Sequence, residues 1–289
     1  MDTMRVALVQ INSRHDKAAN VRRAEELIDQ AAATGARVVA LPEYVNYLGP
    51  REGHDEVAES IPGPLTERFA AKAKEHGVYI LGGSMHERTG RAPSGSGKFY
   101  NTSVLFGPDG EMLAKYRKIH LFDIDLSGNV SANESETILP GDEIVTAEID
   151  GHTVGLTICY DLRFPELYRL LALRGAEILF VPAAFTMFTG KDHWHTLLKA
   201  RAIENQAFVV APGQTGAHEP GPEGAPARCY GHSLVVDPWG TVLADAPDKE
   251  GIVTAELDFE YLAKLRKQLP SLANRQPNAY REREAVQAD

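Results

Sequence analysis

The sequence predicts an α/β protein built on mixed sheets covered by helices, and three observations carry that expectation. Apolar strand-like runs alternate with segments of helical periodicity from the N-terminus onward. A hairpin signal, Gly107-Pro108-Asp109-Gly110, breaks the alternation, and strand-helix-strand units resume after Thr153. About a dozen strand-like runs are enough for two stacked sheets.

In the first unit Met4 to Ile11 is a buried strand, and Asp16 to Ala33 places Val21, Ala24, Ile28 and Ala31 at helical spacing before Gly35 stops the helix. Arg37 to Leu41 is a second strand, Leu65 to His76 a helix stopped by Gly77, and Val78 to Ser84 a third strand. Arg91 to Gly97 reads as a loop ahead of the hairpin strands Phe99 to Phe106 and Glu111 to Lys118.

Thr153 to Ile158 is again a strand, and Arg163-Phe164-Pro165-Glu166 opens a helix with Leu167, Leu170 and Leu171 on its apolar face, closed by Gly175. Ile178 to Val181, a helix from Asp192 to Asn205, and Ala207 to Ala211 follow. The Gly- and Pro-rich stretch Pro212 to Arg228 reads as a long loop within one domain, a lid at a site, before strands at Ser233 to Asp237 and Val242 to Ala244. The last helix is expected over Leu257 to Leu269. Residues 1–270 are expected to be one domain and 271–289 a polar C-terminal tail.

Bulk properties remove several classes. With 289 residues, 43% hydrophobic and 24% charged, the chain can bury a core and is neither collagen-like nor wholly disordered. Forty acidic against 30 basic residues give a net charge of -10, a field that repels nucleic acid and anionic lipid. No apolar run approaches about 18 residues, so no membrane partner is expected. Two cysteines are too few for a disulfide scaffold and fit a reducing, cytoplasmic setting.

Taken singly, the reactive candidates are ambiguous. Cys159 follows an apolar strand and precedes a helix start, where nearby helix amides favour a thiolate, yet a free cysteine also packs as a small hydrophobe. Glu43 ends the run Val38 to Pro42, at the strand edge where open α/β sheets build sites, but most glutamates are simply solvated. Lys118 closes Lys115-Tyr116-Arg117-Lys118, a pattern that alone reads as an exposed basic face. His193 and His195 are two apart on a helix and point to different faces, so no metal site is expected from them. His120, His152 and His232 are each possible partners of Cys159, without a local signature for any. No phosphate-binding glycine fingerprint is present.

Together, Leu41-Pro42-Glu43-Tyr44, Tyr116-Arg117-Lys118-Ile119-His120-Leu121-Phe122 and Ile158-Cys159-Tyr160-Asp161-Leu162-Arg163-Phe164-Pro165-Glu166 closely resemble the three blocks of the nitrilase superfamily. The likeness runs on through Ala183-Ala184-Phe185, Arg201 to Asn205, Gly231-His232-Ser233 and Asp237-Pro238-Trp239-Gly240, nearly the whole chain. It is greatest to the amidase branch that holds deaminated glutathione amidase and omega-amidase.

The resemblance implies an αββα sandwich that forms a homodimer or higher homo-oligomer. It also implies Glu43, Lys118 and Cys159 as a catalytic triad and Glu134 as a further glutamate beside it. The expected reaction is cleavage of a C–N bond in a small carboxylate-bearing amide through a Cys159 thioester, releasing ammonia, with no cofactor. Deaminated glutathione is the first expected substrate, 2-oxoglutaramate the second, and broader aliphatic amides or nitriles follow. Lys118 and the Tyr160 amide are expected to face the oxyanion, Arg163 to grip a substrate carboxylate, and Phe185 with the loop 213–228 to shape specificity. A non-catalytic scaffold and an acyltransferase are the competing classes.

Overall fold

In a computed structural model, residues 2–88, 97–126, 130–218 and 227–280 are described. In chain order the first half contains β1 (Thr3–Gln10), α1 (Lys17–Ala32), β2 (Val38–Ala40), α2 (His54–Val57), α3 (Pro64–His76), β3 (Tyr79–Leu81), β4 (Met85–Glu87), β5 (Phe99–Phe106), β6 (Met112–Arg117), β7 (Asp123–Leu126), β8 (Val130–Asn133) and β9 (Ile138–Leu139). The second half contains β10 (Thr146–Ile149), β11 (His152–Leu156), α4 (Pro165–Leu173), β12 (Ile178–Phe180), α5 (Met187–Asn205), β13 (Phe208–Ala211), β14 (Thr215–Ala217), β15 (Arg228–Tyr230), β16 (Leu234–Val236), β17 (Val242–Asp245), β18 (Gly251–Asp258), α6 (Phe259–Gln268) and α7 (Pro277–Tyr280).

Two mixed sheets result. One has the order β18-β1-β2-β3-β5-β4, with β6 and β9 also on β5, and the other runs β10-β11-β12-β13-β16-β17. Each has a parallel trio at its centre, β1-β2-β3 and β11-β12-β13, flanked by antiparallel strands. The trios are joined through helices, as parallel strands must be.

Alternation along the strands makes the layers. Val6 and Leu8 of β1 and Val38 and Ala40 of β2 point to one core shared with Val154, Leu156, Ile178 and Phe180 of the opposite sheet. Ala7, Val9, Val39 and Leu41 point the other way, onto Val21, Ala24, Leu27 and Ile28 of α1 and Leu65, Phe69 and Ala73 of α3. On the far side α4 and α5 contribute Leu167, Leu171, Trp194 and Leu198 to the inter-sheet cluster. The order helix, sheet, sheet, helix is the expected αββα sandwich.

Local signals explain the helix ends. Asp16 accepts a hydrogen bond from the Ala19 amide at 2.9 Å and caps α1, and Gly77 ends α3 in the left-handed region.

Several boundaries differ from expectation. Leu257 lies in strand β18, where it alternates with buried Ala255, and α6 starts only after Asp258, which caps it by accepting from Tyr261 N at 2.9 Å. Helix α5 begins at Met187 rather than Asp192. Strands β4, β7, β8, β9, β10, β14, β15 and β18 are additional; β7 and β8 carry too few apolar residues to register as strands. The flanks of the expected lid pair as β14 and β15, while its residues 219–226, residues 91–96 of the expected loop, and residues 281–289 of the expected tail lie outside the described residues.

Candidate active site

Four predicted residues converge between the sheets. Glu43 follows β2, Lys118 follows β6, Glu134 follows β8 and Cys159 follows β11, so the cluster sits where the ends of both sheets meet. At Glu43 the chain must turn sharply. The preceding Pro42 carbonyl lies against Gly83, where a Cβ would approach it to 2.0 Å, and Tyr44 adopts φ 53°. Gln214 secures that turn by donating to the Glu43 carbonyl at 2.9 Å while its own oxygen accepts from Ser13 N at 2.9 Å.

The Glu43 side chain is buried and fully engaged. Oε1 accepts from Lys118 Nζ at 3.0 Å and from Asn101 Nδ2 at 2.9 Å, and Oε2 accepts from the Ala184 amide at 2.7 Å. Lys118 donates also to Glu134, at 2.8 Å to Oε2 and 3.1 Å to Oε1. Glu134 accepts further from the Tyr44 hydroxyl at 2.8 Å and the Phe122 amide at 2.7 Å.

Strand alternation turns Lys118 inward. Lys115 and Arg117 leave one face of β6 and pair with Glu87, whereas Tyr116 and Lys118 leave the other. The exposed basic face that Lys118 suggests when read alone does not form, because its ammonium meets two carboxylates.

Cys159 is held by Asp161, which is fully buried. Asp161 accepts from Ile158 N at 2.8 Å, from the Tyr116 hydroxyl at 2.7 Å and from His120 N at 3.1 Å, and its Oδ1 lies 2.7 Å from His120 Nδ1. Cys159 itself has φ 47°, a conformation uncommon outside glycine and found where surrounding structure imposes it. Its amide donates to the Pro182 carbonyl at 3.0 Å.

Electrostatics correct one expectation. Burial and the neighbouring Glu43 carboxylate push the Cys159 thiol well above its ordinary value, outweighing Lys118 and the Ala184 amide. Cys159 opens a 3-10 turn, Cys159–Arg163, ahead of the helix that starts at Pro165, yet the balance at the thiol still opposes a resting thiolate. Glu43 thus stands beside a thiol whose ionisation it opposes. Burial opposes the Lys118 ammonium, but Glu134 and Glu43 hold its pKa well above the usual lysine range. Burial would likewise raise Glu134; Lys118 and the Phe122 and Tyr44 donors overcome it and lower the carboxyl.

The remaining predicted residues lie alongside. The Arg163 guanidinium sits 5.3 Å from the Phe185 ring and 5.8 Å from that of Tyr160, with Nη1 3.2 Å from His193 Nδ1. Phe185 is buried against Trp194. The histidines go elsewhere: His120 to Asp161, His152 to Glu177 and His232 to Asp245.

Sequence reasoning quoted Tyr44, Asp161 and Ala184 within motifs but gave them no structural task, and it missed Asn101 and Gln214. A polar Asn101 inside the apolar strand Phe99–Phe106 was the available signal. Cavity size points away from this cluster: a cavity of about 800 Å³ is lined by Lys17, Tyr47, Glu59 and Arg68, none of them among these residues.

The family model described as Carbon-nitrogen hydrolase matches residues 5–267. An "Omega-amidase NIT2" of Xenopus tropicalis is 44% identical over 280 residues, covering 97% of this chain and 98% of that one. A "Deaminated glutathione amidase" of Synechocystis sp. is 44% identical over 274 residues, covering 93% and 97%. The crystal structure of the C. elegans NitFhit protein superimposes with a TM-score of 0.88 at 36% identity, covering 96% of this chain and 66% of that longer one. The chain belongs to the carbon-nitrogen hydrolase family, and its fold is that of the nitrilase superfamily.

Proposed function

We propose that the protein is an amidase that hydrolyses the C–N bond of a small, carboxylate-bearing amide through a Cys159 thioester. The observation that carries this reading is the buried Lys118 ammonium shared between Glu43 and Glu134, with Cys159 in the electrostatic reach of both Glu43 and Lys118. Amidase names among relatives at 44% identity support the reaction class.

An amide is a weak electrophile with a poor leaving group, so the site needs a nucleophile, a proton for nitrogen and a partner for the oxyanion. Glu43 takes the thiol proton as sulfur attacks the carbonyl carbon. Lys118 Nζ and the Tyr160 amide face the developing oxyanion. Collapse breaks the C–N bond as Glu43 returns the proton to the leaving nitrogen. Glu43 then removes a proton from water, hydroxide attacks the thioester, and the C–S bond breaks with that proton returning to sulfur. Glu134 positions Lys118 throughout.

Arg163 is assigned the substrate carboxylate: it stacks on the Phe185 and Tyr160 rings, and among the described residues no carboxylate pairs with it. Phe185 and the β14–β15 hairpin form the specificity wall. Deaminated glutathione is the first substrate and 2-oxoglutaramate the second. The leaving group is an amine from the former, a secondary amide, and ammonia only from the latter, a primary amide.

A homodimer accompanies this reading, supported by exposed Leu170 and Leu173 on α4, Phe188 and Ile203 on α5, and Trp239 in the β16–β17 turn. Two free cysteines fit a cytoplasmic protein, and none of the described helices is long and apolar enough to cross a membrane. Residues 1–270 act as one catalytic unit.

The test is hydrolysis of deaminated glutathione and of 2-oxoglutaramate by the native protein and by Cys159→Ala, with intact-mass analysis for an acyl adduct. We expect turnover and adduct in the native protein and a loss of about 10⁴-fold or more in the variant. Equal turnover by both would refute the nucleophile. Arg163→Ala should raise KM for 2-oxo acid amides and spare simple aliphatic amides.

A further inference from the structure

Two clusters of histidine and carboxylate groups lie outside the active site, and they are filled differently. In one, Asp29, Glu75 and His76 gather around Lys72, whose ammonium donates to Asp29 at 2.7 Å and to Glu75 at 2.9 Å. The cation of that cluster is already supplied. The other joins His195 on α5, His232 just after β15 and Asp245 at the end of β17. Among the described residues no lysine or arginine pairs with Asp245.

The ligand atoms lie close together. Asp245 Oδ2 lies 3.0 Å from His195 Nε2, Asp245 Oδ1 lies 2.8 Å from His232 Nδ1, and the three ligand atoms all fall within 4.8 Å of one another. Ligands bound to zinc at about 2.0–2.2 Å in tetrahedral geometry are roughly 3.3–3.6 Å apart. An ion between them requires opening the two existing contacts by about 0.3–0.8 Å and drawing together any pair that stands as far apart as 4.8 Å.

The rings are also held in place from behind. Tyr230 stacks on His232 at 4.4 Å, and His195 stands edge-on to both, 6.0 Å from Tyr230 and 5.5 Å from His232. The Trp194 indole donates to the His232 carbonyl at 2.8 Å, and His232 has φ 52°. Such outer partners fix ligand orientation before an ion arrives. In the single chain the residues are half-buried to exposed, with side-chain accessibilities of 32%, 29% and 38% for His195, His232 and Asp245.

We propose that His195, His232 and Asp245 form a divalent-metal site of the zinc type, with water completing the coordination. Two imidazole nitrogens and one carboxylate oxygen are ligands that suit zinc, copper or cobalt better than calcium. On binding, each ring presents its lone pair to the metal and carries its proton on the other nitrogen. The ion joins α5, the turn after β15 and the end of β17. Its effect reaches toward the proposed specificity wall, because Trp194 packs on Phe185 at 5.0 Å and Tyr230 N donates to the Phe185 carbonyl at 2.8 Å. The site is structural: none of its ligands belongs to the Cys159 cluster.

The test uses the full chain, stripped with a chelator and titrated with Zn²⁺ or Co²⁺ alone. We expect one Co²⁺ per chain with the intense visible bands of a tetrahedral, imidazole-bound ion, and a rise in Tm with Zn²⁺. His195→Ala and Asp245→Asn should each weaken binding by about 10-fold or more and remove the Tm rise, while Asp29→Asn in the Lys72 cluster leaves both intact. Amide turnover by the metal-free variants should stay within a few-fold of the native protein. The native spectrum alone is decisive should a variant fail to fold. The weak bands of hydrated Co²⁺, or equal binding by the native protein and both site variants, would overturn the proposal.

Discussion

Two buried carboxylate clusters share one strand end, and their charge balance is opposite. Glu87 and Glu43 are equally buried, each with 2% of its side chain accessible. Glu87 faces two cations, Lys115 at 3.0 Å and Arg117 at 2.7 Å, together with the Thr102 hydroxyl. Burial favours its neutral form, but these partners overcome it and hold the carboxyl below its usual range. Glu43 and Glu134 share the single ammonium of Lys118. The first cluster has a surplus cation and cannot usefully bind a proton. The second has a surplus anion next to a thiol whose own ionisation is suppressed, so a proton moving from Cys159 to Glu43 leaves the total charge unchanged. Alternating residues of Lys115-Tyr116-Arg117-Lys118 thus build an ion cluster on one face and, on the other, the site proposed to accept the thiol proton.

The largest disturbance to this contrast is Lys118→Met. It leaves two buried carboxylates with no cation, and we expect turnover to fall at least ~10²-fold through loss of the oxyanion partner. Stability should fall by about 3–5 kcal/mol, since one member of a buried ion pair is removed. Amide hydrolysis and denaturant unfolding measure the two effects; normal turnover in a folded variant would break the contrast.

Glu134→Gln should act less severely, lowering kcat ~10²-fold by freeing Lys118 to move while leaving KM nearly constant. The sign of its pH dependence follows from the lowered carboxyl of Glu134. A group whose folded pKa is depressed stabilises above its unfolded value, near about 4.3 for Glu, and loses that contribution as pH falls through the folded value. Melting curves of native protein and Glu134→Gln should therefore differ by a constant amount near neutrality and converge below about pH 4. A gap that widened in acid would contradict the assignment.

Arg117→Ala should have the smallest effect on chemistry. Lys115 and Thr102 still satisfy Glu87, so we expect a stability loss of ~1–3 kcal/mol with kcat within about twofold of native. Comparison of Tm and kcat for this variant sharpens the division between the two faces of β6.

Much of the architecture was legible because its signals are local. The apolar run of β1, the capping Asp16 and the stop at Gly77 each declare an element by themselves. Strand β18 was misread in part because Leu257 fits either a helix start or a two-residue alternation with Ala255, and only its eight-residue pairing with β1 decides between them. The polar hairpin β7–β8 has no buried face to mark it. At the site, Glu43, Lys118, Glu134 and Cys159 were legible through motif resemblance, not through their individual chemistry. The tasks of Asn101 and Gln214, and the Tyr116 and His120 contacts of Asp161, depend on residues 33 to 201 positions apart, which no local pattern encodes. The expectation that helix amides favour a thiolate failed for the same reason, because burial and Glu43 act on Cys159 only after both sheets are assembled.

The most direct measurement is a side-by-side comparison of Glu43→Gln and Glu87→Gln for kcat on a primary amide substrate, corrected for folded fraction by thermal unfolding. Loss of a general base costs about 10²–10⁴-fold, so we expect Glu43→Gln to lose turnover on that scale while remaining folded, and Glu87→Gln to lose stability while its folded molecules turn over within a few-fold of native. Substantial turnover by Glu43→Gln, or equal losses from the two variants at equal folded fraction, would contradict the assignment of Glu43 as the group that takes the Cys159 proton.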